Sequence, residues 1–186
     1  MKKYELTSET KTFNGKTLYR IKALKDFANI KQGELGGFVE AEKNLSHEGN
    51  CWVYGVAQVY GNAAVYGNAA VHGDARVFGN AAVYGKAWVH GDVAVYGDAR
   101  VYGDARVYGK ARVYGDARVS EGEYESLVIN IILPQYSITV LSTSKLQIGC
   151  ELKTIKDWKK TTLEDAITMG LKAENYELFM RYINIQ

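Results

Sequence analysis

The sequence has few of the residues that most often carry catalysis, metal binding or export signals. It has one proline, two cysteines and three histidines in 186 residues. Cys51 and Cys150 lack the spacing of a metal site or a redox motif, which favours free thiols in a reducing compartment. The opening "MKKYELTSETKTFNGK" contains no apolar signal region, and no run approaches the roughly 18 apolar residues of a membrane span. We therefore expect a cytoplasmic protein with no membrane partner.

Net charge excludes little, but it favours neither nucleic acid nor lipid. The 23 basic and 21 acidic residues leave a formal charge of +2, so duplex DNA is not an expected partner. The chain also lacks a glycine-rich nucleotide-binding fingerprint, a Ser–His–Asp order and metal-ligand spacing. We predict no metal and no resident cofactor.

Repetition is what the sequence has in excess. Valine recurs at every sixth position from Val53 to Val119, twelve times without an insertion, and glycine follows two residues later in eleven consecutive units. In the unit A-x-V-[YHF]-G-[NDK], alanine and valine point inward from a short strand, x and the aromatic residue point outward, and glycine forms a corner. Three such units predict a triangular coil of 18 residues. Weaker matches, with Val39, Leu45 and Cys51 in the alanine position, extend the repeat to residues 35–120, between four and five coils.

The two ends of the repeat predict caps, because open terminal coils expose unpaired strand edges. Residues 1–34 predict a β-hairpin with an Asn14–Gly15 turn, and residues 121–150 predict strands in "SLVINIIL", "YSITVL" and "KLQIGC". Residues 151–186 predict a helical cap or an oligomerisation segment with a Thr161–Glu164 capping box and a division at Gly170. The apolar face of that segment should comprise Leu163, Ile167, Leu171, Leu178, Phe179 and Ile183. The expected fold is an all-β solenoid with a hairpin cap and a strand-plus-helix cap.

Outward side chains should stack in columns 18 residues apart. One face aligns Tyr54, His72, His90 and Tyr108 beside Trp52, Ala70, Trp88 and Arg106. The second aligns Tyr60, Phe78, Tyr96 and Tyr114 beside Gln58, Arg76, Ala94 and Arg112. The third aligns Tyr66, Tyr84 and Tyr102 beside Ala64, Ala82, Arg100 and Arg118. Most of these residues we interpret as structural, because stacked neighbours on one face of a sheet stabilise each other.

The repeat closely resembles the left-handed parallel β-helix of hexapeptide-repeat (LpxA-like) proteins, in which an inward aliphatic residue recurs every six positions after a small residue. Left-handed coils, and trimers or dimers, are implied by that resemblance. More narrowly, "GELGGFVE", "NLSHEGNCWVYG" and "LQIGCELKTIKDW" look like phage and prophage β-helix proteins that carry a transferase label. The resemblance implies a phage origin.

The arginines carry the main functional hypothesis. Arg100 and Arg118 should lie directly above one another, and like charges in that position are destabilising unless an anion offsets them. Asp98, Asp104 and Asp116, each two residues before an arginine, are expected to offset part of the charge. Tyrosine beside arginine suits nucleotide stacking, and Arg106 above Trp88 predicts a cation–π contact. The candidate ligand residues are Arg100, Arg118, Arg106, Arg112, Tyr102, Tyr108, Trp88 and His90.

Three functions are consistent with these residues. The first is a non-catalytic binding protein for a small anionic, nucleotide-like ligand or a host protein, which would inhibit bacterial defence. The second is an acyltransferase that uses acetyl-CoA, with His47, His72 or His90 as general base; His72 and His90 occupy tyrosine positions, and His47 has only Glu48 as an evident carboxylate neighbour. The third is a purely structural or assembly protein. The sequence favours the first, because the loop that usually projects from a coil in such transferases is absent from Val53–Val119.

Overall fold

The repeat folds as a parallel β-helix, as predicted. The computed structural model describes residues 2–124, 129–133, 136–140, 145–148, 151–169, 172–173 and 176–185. Strands β1 (Tyr4–Phe13), β2 (Lys16–Ala23) and β3 (Leu35–Val39) precede the regular coils. Twelve two-residue strands, β4 to β15, follow at six-residue intervals: Trp52–Val53, Gln58–Val59, Ala64–Val65, Ala70–Val71, Arg76–Val77, Ala82–Val83, Trp88–Val89, Ala94–Val95, Arg100–Val101, Arg106–Val107, Arg112–Val113 and Arg118–Val119. Strand β16 is Glu123–Tyr124.

The interior of the coils consists of the repeated alanine and valine side chains. All twelve valines from Val53 to Val119 are fully buried, and the alanines two positions before them are at most 1% exposed. Val93 replaces alanine in one unit and is also fully buried. The predicted inward pair of each hexad is therefore confirmed, and it forms one continuous apolar core along the coil axis.

Each strand pairs in parallel with the strand 18 residues later, so the predicted columns are confirmed. The tryptophan face contains β4, β7, β10, β13 and β16, and its outward residues include Trp52, Ala70, Trp88 and Arg106. The hairpin face contains β5, β8, β11 and β14, with Gln58, Arg76, Ala94 and Arg112. The arginine-pair face contains β6, β9, β12 and β15, with Ala64, Ala82, Arg100 and Arg118. Handedness of the coil stays a prediction from the resemblance.

Glycine is required at the corners for two separate reasons. Gly85 has a φ of +73°, in the left-handed region that side chains with a Cβ disfavour. A Cβ at that position would also lie 2.8 Å from the backbone nitrogen of Gly103, the equivalent glycine of the next coil. Successive corners therefore pack backbone against backbone.

The predicted N-terminal hairpin is confirmed and caps the hairpin face. Asn14 and Gly15 adopt φ values of 48° and 73°, which a two-residue type I′ turn requires. Strand β2 pairs antiparallel with β3, and β3 pairs in parallel with β5, so the hairpin continues the sheet of the hairpin face. Leu18 packs with the buried rings of Phe38 and Tyr60, which covers the first open edge of the coils.

The first coil departs from the predicted frame by two residues. Val39 pairs with Val59 and Leu45 bridges to Val65, so both occupy the valine position, and their predicted alanine position is wrong. Cys51 keeps the alanine position, because Trp52, the next residue, pairs with Ala70. The corner between Leu45 and Cys51 consequently holds two extra residues. Their insertion restores the 18-residue frame, and the sequence period alone did not reveal it.

The two extra residues are His47 and Glu48. Ser46 donates its N–H to Val65, as the aromatic residues of later coils do to the equivalent valines. Gly49 has a φ of +64° and lies against Gly67, as a corner glycine does. The residues between them have no counterpart in the regular hexad. This insertion lies upstream of Val53–Val119, where the strict period is confirmed.

The C-terminal part contains a four-stranded antiparallel sheet and short helices. The strands are β17 (Ile129–Leu133), β18 (Tyr136–Val140), β19 (Lys145–Ile148) and β20 (Glu151–Thr154), in that spatial order. Three were predicted, and β20 was not. The helices are α1 (Ile155–Trp158), α2 (Leu163–Thr168) and α3 (Tyr176–Ile185). None of the helices in the described part of the chain has the length and apolar character needed to cross a bilayer.

Two details predicted for the helices are wrong. The capping box of α2 is formed by Thr162 and Asp165, one position later than Thr161 and Glu164, because the adjacent threonines gave equivalent patterns. Leu163 and Ile167 are 43% and 49% exposed, since α2 is a short helix that buries Ala166 instead. Ile183 is fully buried, as predicted. The predictions for Cys150, Gly170, Leu171 and the side chains of Leu178 and Phe179 lie outside what the structure describes.

We predict that Gly85→Ala destabilises the protein more than Gly55→Ala does. Both glycines have positive φ, 73° and 58°, but an added Cβ at Gly55 meets no atom within 4 Å. The Gly55 variant should lose about 1–2 kcal/mol of unfolding free energy from the left-handed backbone alone. The Gly85 variant should lose a further ~1–3 kcal/mol, because the corner of the next coil must move. Denaturant unfolding measures both, and equal losses would show that close corner packing contributes nothing.

Candidate functional site

The eight candidate ligand residues lie on three different faces of the coil, so they do not form one site. The arginine-pair face carries Arg100, Arg118 and Tyr102. Arg112 lies on the hairpin face. The tryptophan face carries the other four: Trp88, His90, Arg106 and Tyr108.

On the arginine-pair face, the predicted superposition of two arginines is confirmed. Arg100 and Arg118 are register partners in adjacent parallel strands, which places their Cα atoms about 4.8 Å apart. Both side chains are exposed, and neither forms an ion pair or a side-chain hydrogen bond with any residue that the structure describes. Arg100 also acts on Tyr66: burial and Tyr84 raise the pKa of that phenol, and the guanidinium opposes the rise. This face therefore holds two neighbouring positive charges beside tyrosines.

The tyrosine column of the arginine-pair face ends partway along the coil. The rings of Tyr66 and Tyr84 stack 4.8 Å apart, and those of Tyr84 and Tyr102 stack 5.1 Å apart, within 8° of parallel. In the next coil Ser120 takes the position of the fourth ring, with its carbonyl against the Gly103 corner. One surface of the Tyr102 ring is thus turned toward a small residue, beside Arg118.

Arg112 is already neutralised, which removes it from the candidate site. Its Nη2 lies 3.4 Å from Asp92 Oδ2, and Nη2 of Arg76 lies 3.7 Å from Asp92 Oδ1. One carboxylate thereby bridges two arginines on either side of Ala94. Sequence reasoning missed Asp92, because it paired each arginine with the aspartate two residues before it.

The offset expected from those aspartates is wrong for direct pairing. Among the residues described, Asp98 accepts a hydrogen bond from Asn80 Nδ2 at 3.0 Å, and Asp104 faces Lys86 at 3.9 Å. Neither carboxylate pairs with the arginine that follows it, because corner side chains project away from the strand that they precede. The local charge around Arg100 and Arg118 is accordingly positive.

The tryptophan face carries a cavity of about 250 Å³. Trp88, His90, Arg106, Tyr108 and Glu123 line it, with the backbone of Val107. The guanidinium carbon of Arg106 lies 5.8 Å from the centre of the Trp88 ring, so the predicted cation–π contact is confirmed. Trp88 remains 43% exposed, whereas Trp52 and Trp158 are fully buried.

Glu123 is the residue of this cavity that sequence reasoning missed. Strand β16 pairs with β13 so that Glu123 lies opposite Arg106, one position earlier than the 18-residue frame predicts. Its Oε1 accepts a hydrogen bond from Arg106 Nη1 at 3.2 Å. The signal was present as the break in the repeat at "SEGEYE", but the size of the shift required the pairing itself.

His72 is held as an aromatic ring within its column, which supports its interpretation as a tyrosine substitute. It stacks on Tyr54 with ring centres 3.9 Å apart and an angle of 9°, and it meets the edge of Trp88 at 5.6 Å. Burial, with a smaller effect from His90, lowers the pKa of His72 from 6.5 to about 4. The imidazole is therefore neutral at pH 7 and a weak base.

His47 has both ring nitrogens engaged. Nδ1 accepts the backbone N–H of Lys3 at 3.2 Å, and Nε2 faces Glu42 at 3.6 Å. The ring also stacks on Tyr4 at 4.3 Å. The carboxylate neighbour is thus Glu42, and the sequence-based assignment of Glu48 is wrong, because the inserted corner turns Glu48 away. His90 is the histidine that remains exposed beside a cavity.

A second cavity, of about 440 Å³, lies among the C-terminal helices. Its charged groups are already engaged: Asp157 pairs with Lys160 at 3.1 Å, and Asp165 caps α2. The Lys153 ammonium lies 4.7 Å from the centre of the buried Trp158 ring. We interpret these contacts as cap structure.

We predict that His72→Tyr reduces the loss of stability in mild acid. The folded pKa of His72 is below its unfolded value, so the unfolded chain binds the proton first, and stability falls as pH falls from about 6.5 toward 4. At pH 4.5 relative to pH 7, the variant should lose about 1–2 kcal/mol less unfolding free energy than the parent chain. His90→Tyr, an exchange at the same position one coil later, is the matched control and should keep the acid loss. Identical pH profiles for the parent and His72→Tyr would contradict the burial of this ring.

Comparisons with known proteins agree with this geometry. The YdcK beta solenoid repeat matches residues 57–73, 75–91, 95–109 and 99–114. A protein described as the uncharacterized acetyltransferase YdcK of Escherichia coli (strain K12) is 36% identical over 62 residues, which are 29% of this chain and 19% of that protein. The match thus spans about a fifth of the relative's length and falls within the repeat. By its coils and by these matches, the chain is a hexapeptide-repeat β-solenoid protein with repeats of the YdcK type.

Proposed function

We propose that the protein binds a small anionic, nucleotide-like ligand without catalysis, on the arginine-pair face. The observation that carries the proposal is the register pairing of Arg100 with Arg118 without an acidic partner in the described chain. Like charges at neighbouring strand positions destabilise the fold, and a bound phosphate offsets that repulsion. Two guanidinium groups offer several N–H donors in fixed planes, the arrangement that phosphate oxygens accept best.

The end of the tyrosine column supplies a place for a base. Rings in this column repeat at about 5 Å, and Ser120 interrupts the repeat next to Tyr102. A planar base stacked on Tyr102 would continue the column above Ser120, and stacking of this kind contributes about 1–3 kcal/mol per base. Arg118 would then lie within reach of the phosphate. The ligand class follows from this pairing of an open ring surface with two cations.

The other arginines support the choice of this face. Arg76 and Arg112 share Asp92, and Arg106 pairs with Glu123. An anion at those arginines would have to compete with a carboxylate already in place. In the part of the chain that the structure describes, the arginine-pair face therefore has the greatest unbalanced positive charge among the three.

A binding protein of this kind would sequester its ligand. In a phage-encoded protein, removal of a nucleotide signal or contact with a host protein would inhibit bacterial defence, and this remains our working hypothesis for its biological role. Tyr66 is 40% exposed on a flat face beside Ala64 and Ala82, which also suits association into a dimer or trimer. Binding should accordingly be measured on material of known molar mass.

We predict that ADP binds to the protein and that Arg100→Gln with Arg118→Gln lowers its affinity at least about tenfold. The expected loss corresponds to the charge-assisted hydrogen bonds removed with the two guanidinium groups. Arg76→Gln with Arg112→Gln is the matched control: it removes the same charge on another face and should leave the affinity within about twofold. Isothermal titration calorimetry measures both, with circular dichroism to confirm the fold.

Three outcomes of that experiment are informative. Adenosine and ribose 5-phosphate should each bind more weakly than ADP, because each lacks one of the two recognised parts. Equal loss in both double variants would show that net charge alone attracts the nucleotide. Absence of ADP binding, together with no nucleotide among the small molecules released from purified protein, would favour a structural or assembly role.

An acetyl-CoA-dependent acyltransferase is the second candidate, favoured by the name of the YdcK relative. His90 is exposed beside Trp88 in the cavity of the tryptophan face, where it would accept the proton of an attacking hydroxyl or amine. The cavity of about 250 Å³ is large enough for one end of acetyl-CoA, and Arg106 offers a cation to a phosphate. His47 and His72 are less suited, since their rings are engaged in packing.

If this activity exists, acetyl-CoA should bind at millimolar concentration or below, and His90→Ala should abolish acetyl transfer while leaving the affinity within a few-fold. His72→Ala is the comparison variant in the same column; it should act through stability and keep turnover in the folded fraction. Failure to bind acetyl-CoA in calorimetry would exclude the transferase. Turnover that survives His90→Ala would exclude His90 as the base.

A further inference from the structure

The cavity on the tryptophan face differs in chemistry from the arginine-pair face. Its opening is bordered by both members of an ion pair, Arg106 and Glu123, whose side chains are 57% and 61% exposed. Trp88 presents a partly open indole ring to the same space, and Tyr108 and His90 complete the wall. The site thus combines one cation, one anion and an aromatic surface.

These charges select against ions of a single sign. A simple anion near Arg106 meets the carboxylate of Glu123, and a simple cation near Glu123 meets the guanidinium. A zwitterion can place its negative group on one residue and its positive group on the other. Because exposed ion pairs contribute little to stability, separating Arg106 from Glu123 to admit such a ligand costs little.

Size and wall composition narrow the ligand further. The volume of about 250 Å³ is below the roughly 300–1,000 Å³ of sites for drug-sized ligands. Trp88 offers the stacking surface, and an aromatic pair adds directional attraction to simple burial. We propose that this cavity binds a free α-amino acid with an aromatic side chain: the carboxylate on Arg106, the ammonium on Glu123 and the ring against Trp88.

The test is a titration of the full chain with L-phenylalanine, followed by calorimetry and by indole fluorescence. Trp88 is the exposed tryptophan, and Trp52 and Trp158 are fully buried, so a saturable change should come from Trp88 and vanish in Trp88→Phe. 3-Phenylpropionate lacks the ammonium group and phenethylamine lacks the carboxylate. Each should bind at least about tenfold more weakly than L-phenylalanine, since each leaves one charged residue unmatched. Equal or tighter binding of either compound, or no saturable binding of L-phenylalanine, would overturn the proposal.

Variants separate this site from the one proposed above. Glu123→Gln should weaken L-phenylalanine about tenfold and 3-phenylpropionate much less, because only the amino acid uses the carboxylate. Arg106→Gln should weaken both carboxylate compounds. Arg100→Gln with Arg118→Gln, on another face, should leave L-phenylalanine binding unchanged even where it removes ADP binding. A parallel loss of both ligands in that variant would place them in one site and refute a separate amino-acid cavity.

Discussion

The close packing of corner against corner is the constraint on which the rest of the structure depends. A Cβ at Gly85 would lie 2.8 Å from Gly103, and one at Gly97 would lie 2.9 Å from Gly115. Such contacts leave no room for a coil to gain or lose a residue without displacing its neighbours. The 18-residue register follows from them, and with it the position of every outward side chain.

A fixed register places like residues on like residues, which the chain tolerates for rings but must offset for charges. Tyr60, Phe78 and Tyr96 stack within 4° of parallel at about 5 Å, an arrangement that stabilises the sheet. Arginines gain nothing from such stacking. Asp92 offsets two of them from a corner, and a one-residue shift in the last strand brings Glu123 to Arg106. Arg100 and Arg118 keep the repulsion, which is why their face is the best candidate for an anion.

The regular coils were predictable because one residue type per position decides the inside, the outside and the corner. What the sequence did not reveal lies where the frame shifts. The His47–Glu48 insertion moves Val39 and Leu45 by two positions, yet each still satisfies the apolar pattern, so the pattern could not detect the shift. Glu123 was missed for the same reason, since a shift of one residue is visible only in strand pairing. The candidate arginines were predictable one by one, but their carboxylate partners were not.

Distance from the hairpin cap decides what an outward residue can do, even within one column. Trp52 and Trp88 occupy the same position, but Phe27 and Tyr4 cover the first and the second is open. His72 lies between Tyr54 and the edge of Trp88, whereas His90, one coil later, borders the cavity. The early coils are therefore used to bury the cap, and both proposed sites, at Arg100–Arg118 and at Trp88–Glu123, lie in the later ones. Because the repeat itself is nearly constant, this gradient of coverage is what gives otherwise equivalent positions different chemical capacity.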